Sequence, residues 1–384
     1  MQKYDYIITG MGASGLLLVY HMVLDPFFDE KKVLLIDKDK KKQNDRTWCF
    51  WETDVRTGTD WDKLVSKKWN TIFFGSSSFS KKIKIAPYHY RMIRSKDFYS
   101  FILEILKDKP NITISEETVI TLKDKGTLVE VSTDSNLYQG NKLLNSVVLS
   151  QEYKQQNQYP VLNQHFVGWF VKTKVPSFDD KIATFMDFRV DQRSNTRFMY
   201  VLPTSKTEAL FEYTLFSVDL LKEKEYEEEI VKYLQEKGIK EYSIVEKEKG
   251  CIPMTCYEFR HQNSKNILHI GTAGGWTKPS TGYTFNSSFK KIKKLVTFLK
   301  TDTDFTGFEK RSRFWYYDLL FLDVLHQDNS YGATLFSKLF QKNKISKILK
   351  FLDEETTISE EIKITTSLPW KRFLKALKKR VFKN

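Results

Sequence analysis

The chain has 384 residues, which is enough for two or three lobes, because single domains usually run to about 100–200 residues. Hydrophobic residues make up 41% and charged residues 29%, which excludes a disordered or collagen-like chain. The net charge of +14 favours an anionic partner, namely nucleic acid, a membrane surface or a phosphorylated cofactor. Residues 336–384 hold 13 Lys/Arg and 5 Asp/Glu, so +8 lies in the tail and +6 in the first 335 residues.

The cysteines and the longest uncharged stretch exclude further classes. Three cysteines without a paired framework are typical of a reducing cytoplasm. Cys251 and Cys256 are not followed by paired histidines, so no zinc site, and no metal site in general, is predicted. Residues 6–24 carry no formal charge, but glycines interrupt them. We expect a buried strand and helix there, and neither a signal peptide nor a spanning helix.

The N-terminal segment has the order that a dinucleotide site requires: strand, glycine turn, helix. A β-favouring run at 4–9 leads into G-x-G-x-x-G and then into an apolar helix, where backbone N–H groups and the helix dipole favour a pyrophosphate. A second strand at 32–36 ends in an acid, 22 residues after the last glycine, that can bind ribose hydroxyls. The alternative is a glycine turn that only allows packing. The predicted cofactor contacts are Gly10, Gly12, Ala13, Ser14, Gly15 and Asp37.

Two rival motifs fail at the same residue. Leu16 stands where a P-loop needs its lysine and where a G-x-S-x-G nucleophile turn around Ser14 needs its last glycine. The segment is therefore predicted to bind a dinucleotide and to provide no nucleophile.

The rest of the chain predicts a return to this lobe after an inserted sheet. Ser95 is a predicted N-cap for a helix at 96–107, followed by a hairpin of 111–120 and 127–133 and a short strand at 145–150. Contiguous strands then indicate a mainly antiparallel sheet, at 165–173, 183–189, 198–203 and 208–217, before a helix at 219–236. A strand at 266–271, a glycine-rich loop and a helix at 284–300 follow, and the pattern is helical from 309 onward.

Several blocks resemble those of the carotenoid lycopene cyclases. Residues 44–52, N-D-R-T-W-C-F-W-E, resemble the family's (H/R)-T-W-(S/C)-F stretch, and residues 210–214, L-F-E-Y-T, resemble its F-L-E-E-T or I-E-D-T segment. Residues 271–285 resemble A-G-x-x-x-P-(T/S)-(T/S)-G-Y, and residues 185–188, F-M-D-F, match an element of the bacterial branch. The blocks occur in the family's order across residues 4–290, so the chain resembles lycopene β-cyclases of the bacterial type.

The resemblance implies an α/β flavoprotein of the glutathione reductase/hydroxylase type, with a Rossmann-like FAD-binding lobe, a mainly antiparallel substrate sheet and a helical C-terminal region. The expected domains are an FAD lobe at 1–160, a sheet lobe at 161–250, a return to the FAD lobe at 251–308 and a helical region at 309–384.

The resemblance to lycopene cyclases also implies an FAD cofactor that NAD(P)H keeps reduced. It implies conversion of lycopene through γ-carotene into β-carotene without net redox change. Related reductases and hydroxylases carry Gly-Asp where this chain has Gly271 and Thr272, which leaves the ribityl contacts open. Arg46 is expected to face an FAD phosphate or to pair with Asp45. The other FAD contacts that the resemblance implies are Gly271, Thr272, Ala273, Gly274, Pro279, Thr281 and Gly282.

Glu212 is the predicted catalytic acid, because it matches the acid of the family segment, whose second acid is Tyr213 here. Ring closure needs a proton on a terminal alkene carbon and its later removal from the ring, and one carboxyl group that starts protonated can do both. On a strand Glu212 shares a face with apolar neighbours, which raise a carboxyl pKa. The alternative is a surface acid at a strand edge.

Several aromatic residues are candidates for cation–π stabilisation of the carbocation, or simply for core packing. Asp187 is a weaker acid candidate that also suits the role of hydrogen-bond acceptor. The predicted substrate residues are Trp48, Phe50, Trp51, Asp187, Trp276 and Tyr283.

The C-terminal segment predicts a membrane-facing helix. Pro369 can begin it, and Trp370, Phe373, Leu374, Leu377 and Val381 recur at helical spacing, with seven Lys/Arg in residues 368–384. A basic amphipathic helix lies in an anionic lipid interface, so we expect peripheral association with the inner face of the cytoplasmic membrane. The alternative is a helix packed on the body with solvated lysines. No nucleic-acid module accompanies this charge, so nucleic acid is not expected as a partner.

Two other functions remain open from the sequence. The nucleotide signature also suits an FAD-dependent monooxygenase or a polyprenyl reductase acting on an isoprenoid lipid. A non-catalytic flavoprotein that binds carotenoid or membrane is the third reading, against which the retained Glu212 argues. The sequence leaves open the ring type, the number of ends closed, the range of carotenoid substrates, the nicotinamide preference and the oligomeric state.

Overall fold

The computed structural model describes residues 3–53, 60–301 and 304–382, and the chain divides into two compact units. The first unit comprises Met1–Trp48, Arg94–Tyr159 and Cys256–Trp315, and the second comprises Cys49–Ile93, Pro160–Thr255 and Tyr316–Asn384. The strands are β1 Lys3–Thr9, β2 Val33–Ile36, β3 Thr47–Thr53, β4 Val65–Trp69, β5 Thr71–Gly75, β6 Ser80–Lys84, β7 Tyr88–Arg94, β8 Ile112–Ser115, β9 Val119–Asp124, β10 Val129–Thr133, β11 Leu137–Asn145, β12 Val161–Lys172, β13 Ile182–Asp187, β14 Thr196–Pro203, β15 Glu208–Ser217, β16 Ser243–Thr255 and β17 Ile267–His269.

The helices complete both units. They are α1 Ala13–Val23, α2 Ser95–Lys107, α3 Glu223–Glu236, α4 Phe285–Thr301, α5 Arg313–Gln327, α6 Gly332–Lys342, α7 Ile345–Leu352, α8 Ile358–Ser367 and α9 Trp370–Val381. Within the described ranges, no helix is both long and apolar enough to cross a membrane.

The first unit is built on a seven-stranded sheet in the order β8-β2-β1-β11-β10-β9, with β17 also pairing with β11. β8, β2, β1, β11 and β17 run parallel to one another, and β10 is antiparallel to both of its neighbours, β11 and β9. β2 reads Val-Leu-Leu-Ile and is buried throughout, as expected for a strand covered on both faces. α1 packs against α2 and α4. A second core is formed by strand residues alone, including Val119, Val129 and Val131 of the β9–β10 hairpin. The parallel order β2-β1-β11 is that of a nucleotide-binding sheet.

The second unit contains a seven-stranded sheet in the order β16-β12-β15-β14-β13-β5-β6, antiparallel except where β13 pairs with β5. One face packs against α3, whose buried residues recur at helical spacing, Tyr226, Ile230, Tyr233 and Leu234. α6 packs on the other face through Phe336 and Phe340. A three-stranded sheet, β3-β7-β4, completes the strands.

Three predicted elements differ from the structure, and one long strand was not predicted. β8 pairs in parallel with β2, and the hairpin consists of β9 and β10. A strand was predicted at 145–150, but the observed strand β11 ends at Asn145, the first residue of that range. Ser95 is the first residue of α2, and its Oγ accepts hydrogen bonds from the N–H groups of Asp45 and Arg46 instead of capping the helix. The sequence did not predict β16, a 13-residue strand whose charged residues, glycine and proline hide its alternation.

Candidate active site

The glycine turn after β1 is held by close packing against its own backbone. A Cβ atom on Gly15 would lie 1.9 Å from the carbonyl oxygen of Gly10, so no other residue fits at position 15 without displacing the turn. At Gly12, by contrast, a Cβ atom would meet nothing within 4 Å. The turn is therefore closed towards the sheet and open above Gly12.

The start of α1 suits an anionic group. Gly12 is its N-cap and provides no side-chain cap, and no acidic residue lies in the first turn, so the first N–H groups and the helix dipole face this open space. Ala13 and Ser14 begin the helix. Asp37 follows β2 and accepts a hydrogen bond from the Met11 N–H at 2.5 Å, with Lys41 Nζ 3.4 Å from the same Oδ2 atom. The acid expected at the ribose thus lies beside the turn.

The glycine-rich loop after β17 lies against this turn. A Cβ atom on Gly271 would be 2.6 Å from Ser14 Oγ, and the Trp276 N–H donates to the Gly271 carbonyl at 2.8 Å. Thr272 Oγ1 is 3.4 Å from Thr277 Oγ1. Two buried polar atoms of this loop, Thr281 Oγ1 and Trp276 Nε1, have no hydrogen-bond partner. Because buried polar atoms are normally bonded, they indicate a polar ligand.

These observations fit FAD in the first unit. An open, uncapped helix N-terminus can take the pyrophosphate, the Asp37 carboxyl beside the turn can bind ribose hydroxyls, and the loop offers unpaired donors. Other predicted contacts of this loop, Ala273, Gly274 and Gly282, are buried, whereas Pro279 is half-buried. Arg46 is exposed, and its Nη1 donates to the carbonyl oxygen of Asp45.

The predicted aromatic residues of the first unit lie in packed clusters. Trp48 is half-buried, and its ring centroid lies 5.1 Å from that of Phe98 and 5.6 Å from that of Phe285. Trp276 is buried, and Lys291 Nζ lies 5.4 Å from its ring centroid. Tyr283 is half-buried, and its carbonyl accepts from the Lys278 N–H. These contacts are those of core packing around the glycine-rich loop.

In the second unit, Phe50 and Trp51 are buried on β3. The Trp51 ring centroid lies 6.4 Å from that of Phe185 on β13, which in turn lies 5.4 Å from that of Tyr90 on β7. The three-stranded sheet therefore places aromatic rings against one face of the large sheet.

Glu212 lies on that face of the large sheet, near the middle of β15. Leu210, Thr214 and Phe216 share its face and are buried, while the alternate residues contact α3. The Glu212 side chain is 8% exposed, and the Thr214 hydroxyl donates to its Oε1 at 2.8 Å. Glu212 is therefore a buried acid of a central strand, which excludes the surface edge position that the sequence left open.

Burial and the neighbouring Glu248 carboxyl raise the pKa of Glu212 to about 8, although the Thr214 hydroxyl acts in the opposite direction. The cause is that a dry site and a second negative charge both disfavour the ionised form. Both effects thus favour the protonated form of Glu212.

Glu248 is a site residue that the sequence did not identify, because it lies on the strand β16 that was not predicted. In the sheet register, Gly168 of β12 stands opposite Glu212 on one side and Glu248 on the other. Glu248 is also 8% exposed. The sequence did contain one signal for this site, namely Gly168 in the middle of β12. A glycine inside a strand often marks a close approach of neighbouring groups.

The same face brings further groups to this pair. The pKa of the Cys49 thiol is raised to about 12 by desolvation and by the charges of Glu212 and Glu248, against hydrogen bonds with Tyr200 and Tyr90. The hydroxyl oxygens of those tyrosines are 2.5 Å apart. Tyr200 stands opposite Glu212 in the register of β14 and β15. Together these residues, of which Cys49 and Tyr200 are half-buried, form a polar group within an apolar face.

Asp187 has a different environment at the end of β13. Its side chain is fully buried and accepts from Arg189 Nε at 2.7 Å, from Arg189 Nη2 at 2.6 Å and from the Tyr233 hydroxyl at 2.8 Å. Burial acts to raise the pKa of Asp187, but these bonds outweigh it and hold that pKa below its ordinary value. Asp187 is therefore an ionised hydrogen-bond acceptor and not a proton donor.

α9 at the C-terminus uses two different faces. Arg372 and Arg380 pair with Asp328 and Asp323, and Ala376 is buried beside them. Phe373, which the sequence placed in the apolar stripe, also faces the body. The remaining stripe is exposed, Trp370, Leu374, Leu377 and Val381. The helix is thus attached by one face and presents an apolar stripe on another.

Three solved structures share this fold over nearly the whole chain. A geranylgeranyl bacteriochlorophyll reductase-like protein from Thermoplasma acidophilum is 10% identical, covers 99% of this chain and 100% of its own, and has a TM-score of 0.62. A flavoprotein/dehydrogenase from Cytophaga hutchinsonii is 11% identical, with coverage of 98% and 99% and a TM-score of 0.63. The flavin-dependent brominase Bmp2 is 13% identical, covers both chains completely and has a TM-score of 0.62.

These likenesses establish the fold of FAD-binding flavoproteins, a mixed α/β fold with antiparallel sheet and a helical C-terminal region, as predicted. No curated protein matches the sequence significantly. The family model described as lycopene cyclase protein matches residues 5–378, nearly the whole chain. The chain therefore belongs to the lycopene cyclase family.

Proposed function

We propose that this protein is a lycopene β-cyclase, an isomerase that closes the linear ends of lycopene into β-rings, giving γ-carotene and then β-carotene. The observation that carries the proposal is Glu212, a carboxyl group that burial and Glu248 keep protonated within an apolar sheet face. Family membership supports a carotenoid as the substrate.

The chain's own acid accounts for both proton transfers. The Glu212 O–H bond breaks as its proton joins a terminal alkene carbon, and the resulting tertiary cation is attacked by a second double bond to close the ring. A ring C–H bond then breaks, its electron pair forms the new ring double bond, and the proton returns to the Glu212 carboxylate. Substrate and product are isomers, so no electrons are gained or lost.

The cofactor proposed for this reaction is FAD in its reduced form, with NAD(P)H as the reductant. Gly12, Ala13 and Ser14 would hold the pyrophosphate at the start of α1, Asp37 the adenosine ribose, and the loop 271–283 the remaining polar groups. When bound and reduced, FAD supplies negative charge that stabilises a carbocation electrostatically.

The second candidate is an FAD-dependent monooxygenase or polyprenyl reductase acting on an isoprenoid lipid. The observation in its favour is the fold, which a protein described as geranylgeranyl bacteriochlorophyll reductase-like shares. Such an enzyme consumes NAD(P)H in proportion to its product, whereas a cyclase needs only enough to reduce its flavin.

The deciding experiment is expression of the full chain in a host that accumulates lycopene, followed by pigment chromatography and measurement of NAD(P)H consumption with the purified protein. We expect β-carotene, with γ-carotene as the intermediate, and no stoichiometric oxidation of NAD(P)H. Unchanged lycopene, in cells whose purified protein carries FAD, would overturn the cyclase proposal. Hydrogenated or oxygenated products would instead support the second candidate.

We also propose that the exposed stripe of α9 docks the protein peripherally on an anionic membrane, at the inner face of the cytoplasmic membrane. Trp370 is 56% and Val381 59% exposed, and Lys371, Lys375, Lys378 and Lys379 are exposed on the same helix. Apolar side chains enter the lipid interface while lysines contact anionic headgroups. The substrate is a lipid, so this location gives access to it.

The test is flotation of the purified protein with vesicles of anionic phosphatidylglycerol or of neutral phosphatidylcholine. Replacing Trp370, Leu374 and Leu377 together by serine should strongly reduce binding and leave the inward face, including Ala376, intact. The control replaces Val218 and Leu220, which are exposed elsewhere in the same unit, by serine. Equal flotation of all three proteins would show that α9 is only a helix packed on the body.

A further inference from the structure

Glu212 and Glu248 face the same gap in the large sheet. Gly168 lies on β12 between the strands that carry them, directly opposite both in register. Neighbouring strands are about 4.8 Å apart, so two long side chains that flank one glycine meet above it. The two carboxyl groups are hydrogen-bonded to each other.

Gly168 leaves the space for this approach. A Cβ atom at that position would lie 3.1 Å from Glu248 Cγ, 3.5 Å from Glu248 Oε1 and 3.0 Å from Leu210 Cδ1. Even alanine would therefore require Leu210 and the Glu248 side chain to shift. The absence of a side chain at Gly168 therefore contributes to the contact between Glu212 and Glu248.

Two ionised carboxylates cannot remain in contact in a dry site, because neither water nor distance screens their repulsion. A hydrogen bond between them requires one proton, since an ionised carboxylate can only accept. We propose that Glu248 is a positioning residue for the proton on Glu212: the two carboxyl groups share one proton across Gly168, and Glu248 is the ionised partner.

The groups that surround the pair are consistent with this sharing. Thr214 faces it from β15, Tyr200 from β14, Tyr90 from β7 and Cys49 from β3. The Thr214 hydroxyl favours the ionised form of Glu212, but burial and Glu248 together outweigh it. The pKa of Cys49 is raised in turn by the two acids, so its thiol is neutral near pH 7.

The inference rests on the proposed cyclisation and adds a second acid to it. When Glu212 gives its proton to the alkene carbon, two carboxylates face the carbocation, and their mutual repulsion is relieved by its positive charge. When the ring forms, the same repulsion makes the Glu212 carboxylate a stronger base for the returning proton. Glu248 thus favours the proton's return to Glu212 after each ring closure.

The test is the pH profile of cyclisation by the FAD-loaded, full-length Glu248→Gln variant. Removing the charge lowers the pKa of Glu212, so the activity that needs its proton should be lost at lower pH. We expect the alkaline limb to move down by about one pH unit. Glu248→Asp keeps the charge and should restore most of the wild-type profile. The control is Glu246→Gln, a half-buried acid two residues away on β16, whose profile should not move.

A second readout does not depend on activity. Infrared difference spectra of the purified holoproteins, with pH stepped from about 6 to about 10, should show one buried carboxylic acid deprotonating near pH 8 in the wild type. That signal should disappear in Glu212→Gln and move to lower pH in Glu248→Gln. An unmoved signal and pH profile in Glu248→Gln would overturn the shared proton while leaving the cyclase proposal intact. If lycopene is not cyclised, the infrared result still decides whether the proton is shared.

Discussion

Two buried acids of one sheet have pKa values shifted in opposite directions. Asp187, on β13, is fully buried and its pKa is lowered, while Glu212, on β15, is 8% exposed and its pKa is raised. Burial disfavours the charged form of both acids. What differs is the partner, because Asp187 contacts the Arg189 guanidinium and Glu212 contacts the Glu248 carboxyl. The neighbouring charge, rather than depth in the sheet, decides which acid can donate a proton.

The largest expected effect tests the donor itself. Glu212→Gln should retain FAD and lose cyclisation by about 10²-fold to 10⁴-fold, because an amide cannot supply the proton. Flavin absorbance and pigment chromatography measure the two properties separately. The control is Glu208→Gln, an acid of the same strand that pairs with Lys172 at the surface. Full activity of Glu212→Gln would remove it from the mechanism.

A second change makes Asp187 resemble Glu212. Arg189→Met removes the guanidinium and leaves a buried carboxylate without its main partner, which should destabilise the protein at neutral pH by about 2–4 kcal/mol. The pKa of Asp187 should then rise, so the deficit should shrink as pH falls and the acid takes up a proton.

Urea unfolding at neutral and acidic pH measures this deficit. Lys172→Met is the control, because it breaks a surface ion pair whose side chains are 55% and 40% exposed. Such a pair contributes about 0–1 kcal/mol. A pH-independent deficit in Arg189→Met would show that Asp187 stays ionised without its guanidinium.

The third prediction concerns the pH dependence of stability. The folded-state pKa of Glu212 lies above its unfolded value, so its contribution is fully present below the unfolded pKa and is lost as pH rises from there to about 8. Glu212→Gln should lack this loss and be more stable than wild type at pH 9 by about 1–3 kcal/mol. Thermal or urea unfolding from about pH 4 to about pH 9 covers the window between the two pKa values and provides the measurement. Parallel stability curves for the two proteins would contradict a raised pKa.

The smallest effect is expected at the edge of the Asp187 environment. Lys237 Nζ lies 4.0 Å from Asp187 Oδ2, and the lysine side chain is 41% exposed. Lys237→Met should therefore cost less than about 1 kcal/mol in the free energy of unfolding. A loss of unfolding free energy as large as that of Arg189→Met would mean that Lys237 stabilises the Asp187 carboxylate as much as Arg189 does.

The sequence was most informative where neighbouring residues along the chain create the feature. The turn from Gly10 to Gly15, the acid at Asp37 and the apolar face around Glu212 are all patterns within one strand or one turn. The structure contains this turn, with Asp37 beside it, and buries that face of β15. Local steric and periodic rules are sufficient for such features.

The sequence was least informative where residues meet across strands. β8 was assigned to a hairpin, although it pairs with β2, and β16 was not predicted at all. Phe373 looked like part of an exposed stripe, but the fold turns it towards the body. Pairing partners and helix docking depend on long-range packing, which no local pattern specifies.

The sequence by itself determined the nucleotide turn, the family blocks, the acid at position 212 and the basic tail, because each is written in consecutive residues. Only the tertiary structure decided that Glu212 is buried, that Glu248 meets it across Gly168, and that Asp187 forms an ion pair with Arg189. The physical reason is that a carboxyl group's protonation depends on charges and solvent within a few ångströms in space. Sheet register brings those charges together from positions 36 residues apart along the chain, as with 212 and 248.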